Sequence, residues 1–107
     1  MKELEATEVA ARLRPDDGSA PVLLDVREAF ELEIASVDGA VHMPMQSVPS
    51  RVAELDPQRP VIVMCHHGAR SRQVAHWLAH QGFTEVANFD GGIDAWSRLI
   101  DSSVPRY

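Results

Sequence analysis

The chain has 107 residues, of which 45% are apolar and 24% are charged, and its formal net charge is −6. This length fits one domain, and this composition is that of a globular protein rather than a disordered chain. The negative charge argues against nucleic acid and anionic membranes as partners, and no apolar run approaches the roughly 18 residues that a membrane helix needs.

Short segments typical of strands and helices alternate along the chain. The patterns predict, in order, a helix over 8–14 capped by Thr7, a strand over 22–26, a helix over 28–35, an extended segment over 41–43, a helix from 49 to 55, a strand over 61–64, a helix over 71–81, a strand over 86–89 and a helix from 93 to 99. This alternation predicts an α/β domain with a mainly parallel sheet. In such sheets the functional site lies beyond the carboxyl ends of the strands.

The strongest strand pattern runs directly into a polar loop that contains the only cysteine, Cys65. The following residues are His66, His67, Gly68, Ala69, Arg70, Ser71 and Arg72. A loop before a helix N-terminus offers backbone N–H groups and partial positive charge, to which histidine and arginine side chains can add. These surroundings favour the thiolate, which is the reactive form of cysteine. We therefore interpret Cys65 as a nucleophile; the alternative is a small buried apolar side chain.

A single cysteine excludes an internal disulfide, a CxxC redox centre and a multi-cysteine zinc site. Without a second cysteine, any group attached to Cys65 must leave by reaction with an external acceptor. Cys65 followed by two histidines does not match the usual spacing of zinc ligands, so we expect no metal. Residues 61–72 contain no acid although the whole chain is acidic, and this local excess of positive charge suits an anionic sulfur donor.

Four segments, in this order, resemble motifs of the rhodanese family. Residues 24–28 resemble its Asp-x-Arg stretch, 37–44 its Gly-Ala-x-x-x-Pro signature, 63–71 its active-site loop with the following helix, and 90–96 its closing Gly-Gly-x-x-x-Trp motif. The resemblance covers almost the whole chain, so we identify residues 1–107 as one rhodanese-like domain. It implies a five-stranded, mainly parallel sheet flanked by helices on both faces.

The resemblance also implies a chemistry. Cys65 would attack the outer sulfur of an anionic donor such as thiosulfate, and the resulting persulfide would pass its sulfur to a thiophilic acceptor. The acceptor would be cyanide in an assay and a thiol or a protein in the cell. The implied substrate-binding loop comprises His66, His67, Gly68, Ala69, Arg70 and Ser71. Its backbone amides would surround the persulfide, Arg70 would contact the donor, and no metal or organic cofactor would be needed.

Other motif residues receive supporting roles. Asp25 ends a buried strand, where a carboxylate needs hydrogen-bond donors, and Arg27 either supplies them or reaches toward the loop. Gly91, Gly92 and Trp96 are interpreted as fold elements. The first five residues lack the apolar core of a signal peptide, so we expect a cytoplasmic location. The residues leave the oligomeric state open.

Three other functions remain as alternatives. A phosphatase of the same fold has five residues between its cysteine and its arginine, whereas only four separate Cys65 from Arg70, which argues against that activity. A binding or relay module would take sulfur from a protein donor and would show little activity with thiosulfate. A redox sensor is disfavoured by the missing resolving cysteine. The loop also differs from the Cys-Gly-x-Gly-Val-Thr loop of mercaptopyruvate sulfurtransferases, which argues against 3-mercaptopyruvate as the donor.

Overall fold

A computed structural model describes residues 1–107, which form five strands and five α-helices. The strands are β1 (Lys2–Leu4), β2 (Val22–Asp25), β3 (Val41–His42), β4 (Val61–Met64) and β5 (Val86–Phe89). The α-helices are α1 (Ala6–Leu13), α2 (Ala29–Ile34), α3 (Val48–Arg51), α4 (Ala69–His80) and α5 (Gly92–Leu99). Two single-turn 3-10 helices, Met45–Ser47 and Val52–Glu54, flank α3.

All five strands are parallel and belong to one sheet, in the order β1-β5-β4-β2-β3. The central strand β4 and its neighbour β5 are buried along their whole length. Strands covered on both faces are mostly apolar rather than alternating, which is why these two were predicted with their observed bounds. The predicted α/β class is confirmed.

The apolar core consists of two layers, one on each face of the sheet. Val9 of α1 and Ile93 of α5 belong to one layer, and Val48 of α3 and Leu78 of α4 belong to the other. Successive side chains of β4 enter opposite layers, as the pleat of a strand requires. The implied arrangement of helices on both faces of a five-stranded sheet is therefore confirmed.

Two local predictions at the N-terminus are wrong. The sequence patterns gave no strand over Lys2–Leu4, because only Leu4 of β1 is buried and no apolar run marks the segment. Thr7 does not cap α1. Instead, Glu5 and Glu8 form a reciprocal capping box, and the helix begins at Ala6.

Asp25 and Arg27 form a buried ion pair at the end of β2, with no exposed side-chain surface on either residue. Asp25 Oδ2 accepts a hydrogen bond from Arg27 NH2 at 2.7 Å, and Oδ1 accepts the Nε–H at 3.0 Å. Other Arg27 N–H groups donate to the carbonyl of Ala35 at 2.9 Å and to the hydroxyl of Tyr107 at 2.8 Å. Arg27 thus supplies the hydrogen-bond donors that Asp25 needs and does not reach toward the loop. It also connects β2 with α2 and the C-terminal residues.

Asp25→Ala should lower the free energy of unfolding by about 3–5 kcal/mol, because it leaves the Arg27 charge buried without its partner. Urea unfolding measures this loss. Asp38 is exposed, and Asp38→Ala should change the stability by no more than about 0.5 kcal/mol. Equal effects of the two substitutions would contradict the structural role of the ion pair.

Candidate active site

Cys65 follows β4 at the carboxyl edge of the sheet, the edge at which sites of parallel α/β domains are found. Residues 65–71, which we call the cysteine loop, connect β4 to α4 and include the first turn of that helix. The thiol is free, and the residue is 1% exposed. Its Sγ accepts a hydrogen bond from the backbone N–H of Gly68 at 3.1 Å, and the Ser71 Oγ lies 3.3 Å away.

Three consecutive carbonyl groups of the cysteine loop are bonded by backbone N–H groups at the start of α5. The pairs are Cys65 with Ile93 at 2.9 Å, His66 with Asp94 at 3.1 Å, and His67 with Gly91 at 3.1 Å. In a trans peptide the N–H points away from the preceding C=O. The N–H groups of His66, His67 and Gly68 therefore point away from α5.

Most backbone N–H groups of the cysteine loop are free to bind a ligand. No acceptor within the protein is found for those of His66, His67, Ala69, Arg70 and Ser71. Unpaired donors at the N-terminus of a 12-residue helix are suited to an anion. The resemblance implied that these amides surround a persulfide on Cys65, and this role stays a prediction.

Two glycines permit this geometry. Gly68 has a φ of +119°, in a region that residues with a side chain rarely adopt. A Cβ on Gly92 would clash with the carbonyl oxygens of Cys65 and His66. Gly92 was interpreted as a fold element, and its lack of a side chain is what lets α5 approach the cysteine loop.

Asn88 of β5 is hydrogen-bonded to two residues of the cysteine loop. Its Nδ2 donates to the carbonyl of Gly68 at 3.2 Å and to Glu3 Oε1 at 2.8 Å, and its Oδ1 accepts the Ser71 hydroxyl at 2.5 Å. The single proton of the Ser71 hydroxyl can be donated either to Asn88 Oδ1 or to Cys65 Sγ, which lies 3.3 Å away. Ser71 and Asn88 are both fully buried, and Ser71 links the thiol to Asn88 of β5.

Arg70 contacts α2 through a bidentate ion pair. Its NH1 and NH2 donate to Glu31 Oε1 and Oε2 at 2.6 and 2.9 Å. The Glu31 carboxylate also accepts the hydroxyl of Tyr107 at 2.7 Å and the backbone N–H of Glu28 at 3.1 Å. The hydrogen bonds from Arg70 contribute most to lowering the pKa of Glu31 to about 2, although burial opposes them. Any donor anion that contacts Arg70 therefore also approaches this carboxylate.

Arg72 is paired as well. Its Nε lies 2.9 Å from Glu3 Oε2, and its NH2 lies 3.6 Å from Asp90 Oδ1. Residues 61–72 contain no acid, but Glu3, Glu31 and Asp90 from other parts of the chain lie beside Arg70 and Arg72. Their negative charges offset the positive charge of the two arginines. The positive character expected of the site is carried by its backbone amides, because both nearby arginines are already paired with carboxylates.

The two histidines take different positions. The His66 ring stacks on Tyr107 with centroids 3.8 Å apart and planes 4° apart, whereas the His67 ring is mostly exposed. Burial, with a smaller effect from His67, lowers the pKa of His66. The neutral form of His66 therefore dominates at pH 7.

His66, His67 and Asp94 bring three potential metal-ligand atoms within 4.8 Å of one another. Asp94 is already engaged, however, because Arg98 and Arg106 each donate to its carboxylate at 3.0 Å. Two adjacent guanidinium charges oppose the binding of a cation there. The absence of a metal site stays a prediction.

Sequence analysis missed three residues that shape the site, namely Glu31, Asn88 and Tyr107. Asn88 gives a usable signal, because a polar residue inside an apolar strand needs buried partners. Glu31 was part of the predicted helix over 28–35 but carried no motif of its own. Tyr107 gives no signal, because its contacts lie 76 and 80 positions away along the chain.

Comparisons with known proteins agree with this fold. A family model described as a rhodanese-like domain matches residues 5–99. The chain is 38% identical to Rhodanese-like/PpiC domain-containing protein 12, chloroplastic, of Arabidopsis thaliana, over all of this chain and 38% of that protein. A rhodanese-like domain protein from Staphylococcus aureus superposes with a TM-score of 0.83 at 23% identity, covering 100% of this chain and 99% of that one. An NAD-dependent persulfide reductase from A. fulgidus gives 0.69 at 26% identity, over 90% of this chain and 16% of that one.

The parallel sheet and the amide-lined cysteine loop define an α/β domain of the sulfurtransferase superfamily. The chain belongs to the rhodanese-like domain family. It spans little more than a third of the length of its Arabidopsis relative. None of its helices is both long enough and apolar enough to cross a membrane.

Gly92→Ala should lower the free energy of unfolding by roughly 2–4 kcal/mol, because the added Cβ forces α5 away from the cysteine loop. Gly18 is a matched control, since it also has a positive φ but its Cβ would meet nothing within 4 Å. Gly18→Ala should cost only about 1–2 kcal/mol, from its φ alone. Urea unfolding compares them, and an equal loss would show that α5 does not constrain the loop.

The ionised Glu31 should stabilise the protein in a pH-dependent way. Its folded-state pKa of about 2 lies below the ordinary value of 4.5, so its contribution is full above pH 4.5 and is lost as the pH falls toward 2. Relative to Glu31→Gln, the wild type should be more stable by roughly 2–3 kcal/mol near neutral pH and equally stable at the acid end. Urea unfolding at several pH values tests this, and a constant difference would refute the assigned ion pair.

Proposed function

We propose that this protein is a sulfurtransferase that carries sulfane sulfur as a persulfide on Cys65. The observation that supports this function is the free thiol of Cys65 in a loop whose backbone N–H groups are mostly unpaired. A persulfide places its negative charge on the outer sulfur, one atom further from the protein than the thiolate. Fixed N–H donors around that position stabilise the charge without any reorganisation of solvent.

Two displacement steps make up the proposed cycle. In the first, the Cys65 thiolate attacks the outer sulfur of thiosulfate, the S–S bond of thiosulfate breaks, and sulfite leaves with the electron pair. In the second, cyanide attacks the outer sulfur of the persulfide, thiocyanate forms, and the Cys65 thiolate is released. The covalent intermediate divides one transfer into two steps, and neither step requires a metal or an organic cofactor.

A second candidate is a module that receives sulfur from a persulfide on a protein or a small thiol. The pairing of Arg70 with Glu31 favours it, because a guanidinium bound to a carboxylate attracts a dianion poorly. The A. fulgidus protein that contains a similar domain is named a persulfide reductase, which adds support. The same pairing argues against the phosphatase alternative, in which the loop arginine must bind a phosphoryl group.

The proposed partners are a small anionic sulfur donor and a thiol or protein acceptor, without nucleic acid or membrane. The net charge of −6 agrees with the absence of nucleic acid. The cytoplasmic location stays a prediction, since the name of the Arabidopsis relative places that protein in the chloroplast.

Cys65→Ala should reduce thiocyanate formation from thiosulfate and cyanide to the background rate, because the sulfur carrier is removed. The wild type should give the parallel double-reciprocal lines of a ping-pong mechanism. Ser102 is exposed and far from the cysteine in sequence, and Ser102→Ala should retain full activity. Turnover that survives in mass-verified Cys65→Ala protein would disprove the mechanism.

A further inference from the structure

Glu31 is held rigidly beside the cysteine loop. Its residue is only 4% exposed, and its two carboxylate oxygens accept four hydrogen bonds. A bidentate contact between an arginine and a carboxylate is strong and fixes the orientation of both groups. Separating the pair would leave a buried carboxylate that lacks its main donor, which is costly. Glu31 is therefore a permanent part of the surroundings of Arg70.

The pair changes what an approaching anion meets. The side chain of Arg70 is 36% exposed, and two of its five N–H groups are used by Glu31. A ligand at the cysteine loop can still reach the remaining N–H groups, but the arginine and the carboxylate together carry no net charge. A dianion gains much less from such a pair than from a lone guanidinium, and it also approaches the Glu31 carboxylate.

We propose that Glu31 is a specificity-determining residue, which neutralises Arg70 and so favours thiol persulfides over thiosulfate as sulfur donors. This inference rests on the proposed persulfide cycle and assigns its donor class. A thiol persulfide has at most one negative charge on its two sulfur atoms, whereas thiosulfate is a dianion. The Cys65 thiolate attacks the outer sulfur of the persulfide, its S–S bond breaks, and the electron pair leaves with the thiolate of the donor.

Removing the charge of Glu31 should convert the site into a better thiosulfate site. Glu31→Gln keeps the size of the side chain and should raise kcat/KM for thiosulfate about tenfold, the scale of one charge-assisted hydrogen bond. Glu33 lies on the same helix and is exposed, so Glu33→Gln is the control for the same change in net charge. It should leave kcat/KM unchanged.

Alkylation of Cys65 tests the inference without any sulfur transfer. Iodoacetate and iodoacetamide react with the thiol in the same way and differ by one negative charge. The rate with iodoacetate divided by the rate with iodoacetamide, both followed by intact mass, should rise roughly three- to tenfold in Glu31→Gln, because one negative charge is removed beside Arg70. It should stay at the wild-type value in Glu33→Gln.

The two readouts separate failure of the inference from failure of the proposed function. An unchanged alkylation ratio in folded Glu31→Gln would overturn the role of Glu31, even if the protein turns over thiosulfate. A raised ratio in a protein that accepts no sulfur donor would support the electrostatic role and would overturn the proposed sulfurtransferase. A raised ratio with an unchanged kcat/KM for thiosulfate would show that Glu31 does not set the donor class.

Discussion

Three hydrogen bonds between the start of α5 and the carbonyls of residues 65–67 determine the direction of the peptide groups around Cys65. They hold the carbonyls toward α5 and leave the N–H groups pointing away from that helix, where they are free to bind an anion. Two features of the fold make this contact possible. The sheet places β4 beside β5, so the residues that follow the two strands meet at one edge, and Gly92 lets the helix approach closely.

The electrostatic character of the site therefore comes from backbone dipoles rather than from free side-chain charge. Arg70 and Arg72, the two arginines nearest in sequence, are both bound to carboxylates. N–H donors at a helix N-terminus stabilise a small anion without attracting every anion in solution. In the proposed cycle such an arrangement stabilises charge on the sulfur that Cys65 carries. Selection of the donor is then left to the surrounding side chains, of which Glu31 is bound directly to Arg70.

The sequence was sufficient for the parts of the fold that depend on local patterns. Both apolar strands next to the site were predicted with their observed bounds, and the cysteine, the glycines and the loop were identified from their order along the chain. Contacts between distant residues could not be predicted in this way. β1 is fixed by backbone pairing with β5, and Glu31 meets Arg70 across 39 positions. The positive charge expected of the site was overestimated for the same reason, since the neutralising acids are remote in sequence.

The central claim, that Cys65 carries sulfur as a persulfide, is tested most directly by the intact mass of the protein. The protein would be incubated separately with thiosulfate and with a small-thiol persulfide, and then treated with cyanide. The account predicts a gain of about 32 Da, one sulfur atom, that cyanide removes, with faster loading from the persulfide. If neither donor adds sulfur to the folded protein while the Cys65 thiol remains reduced, the claim is contradicted.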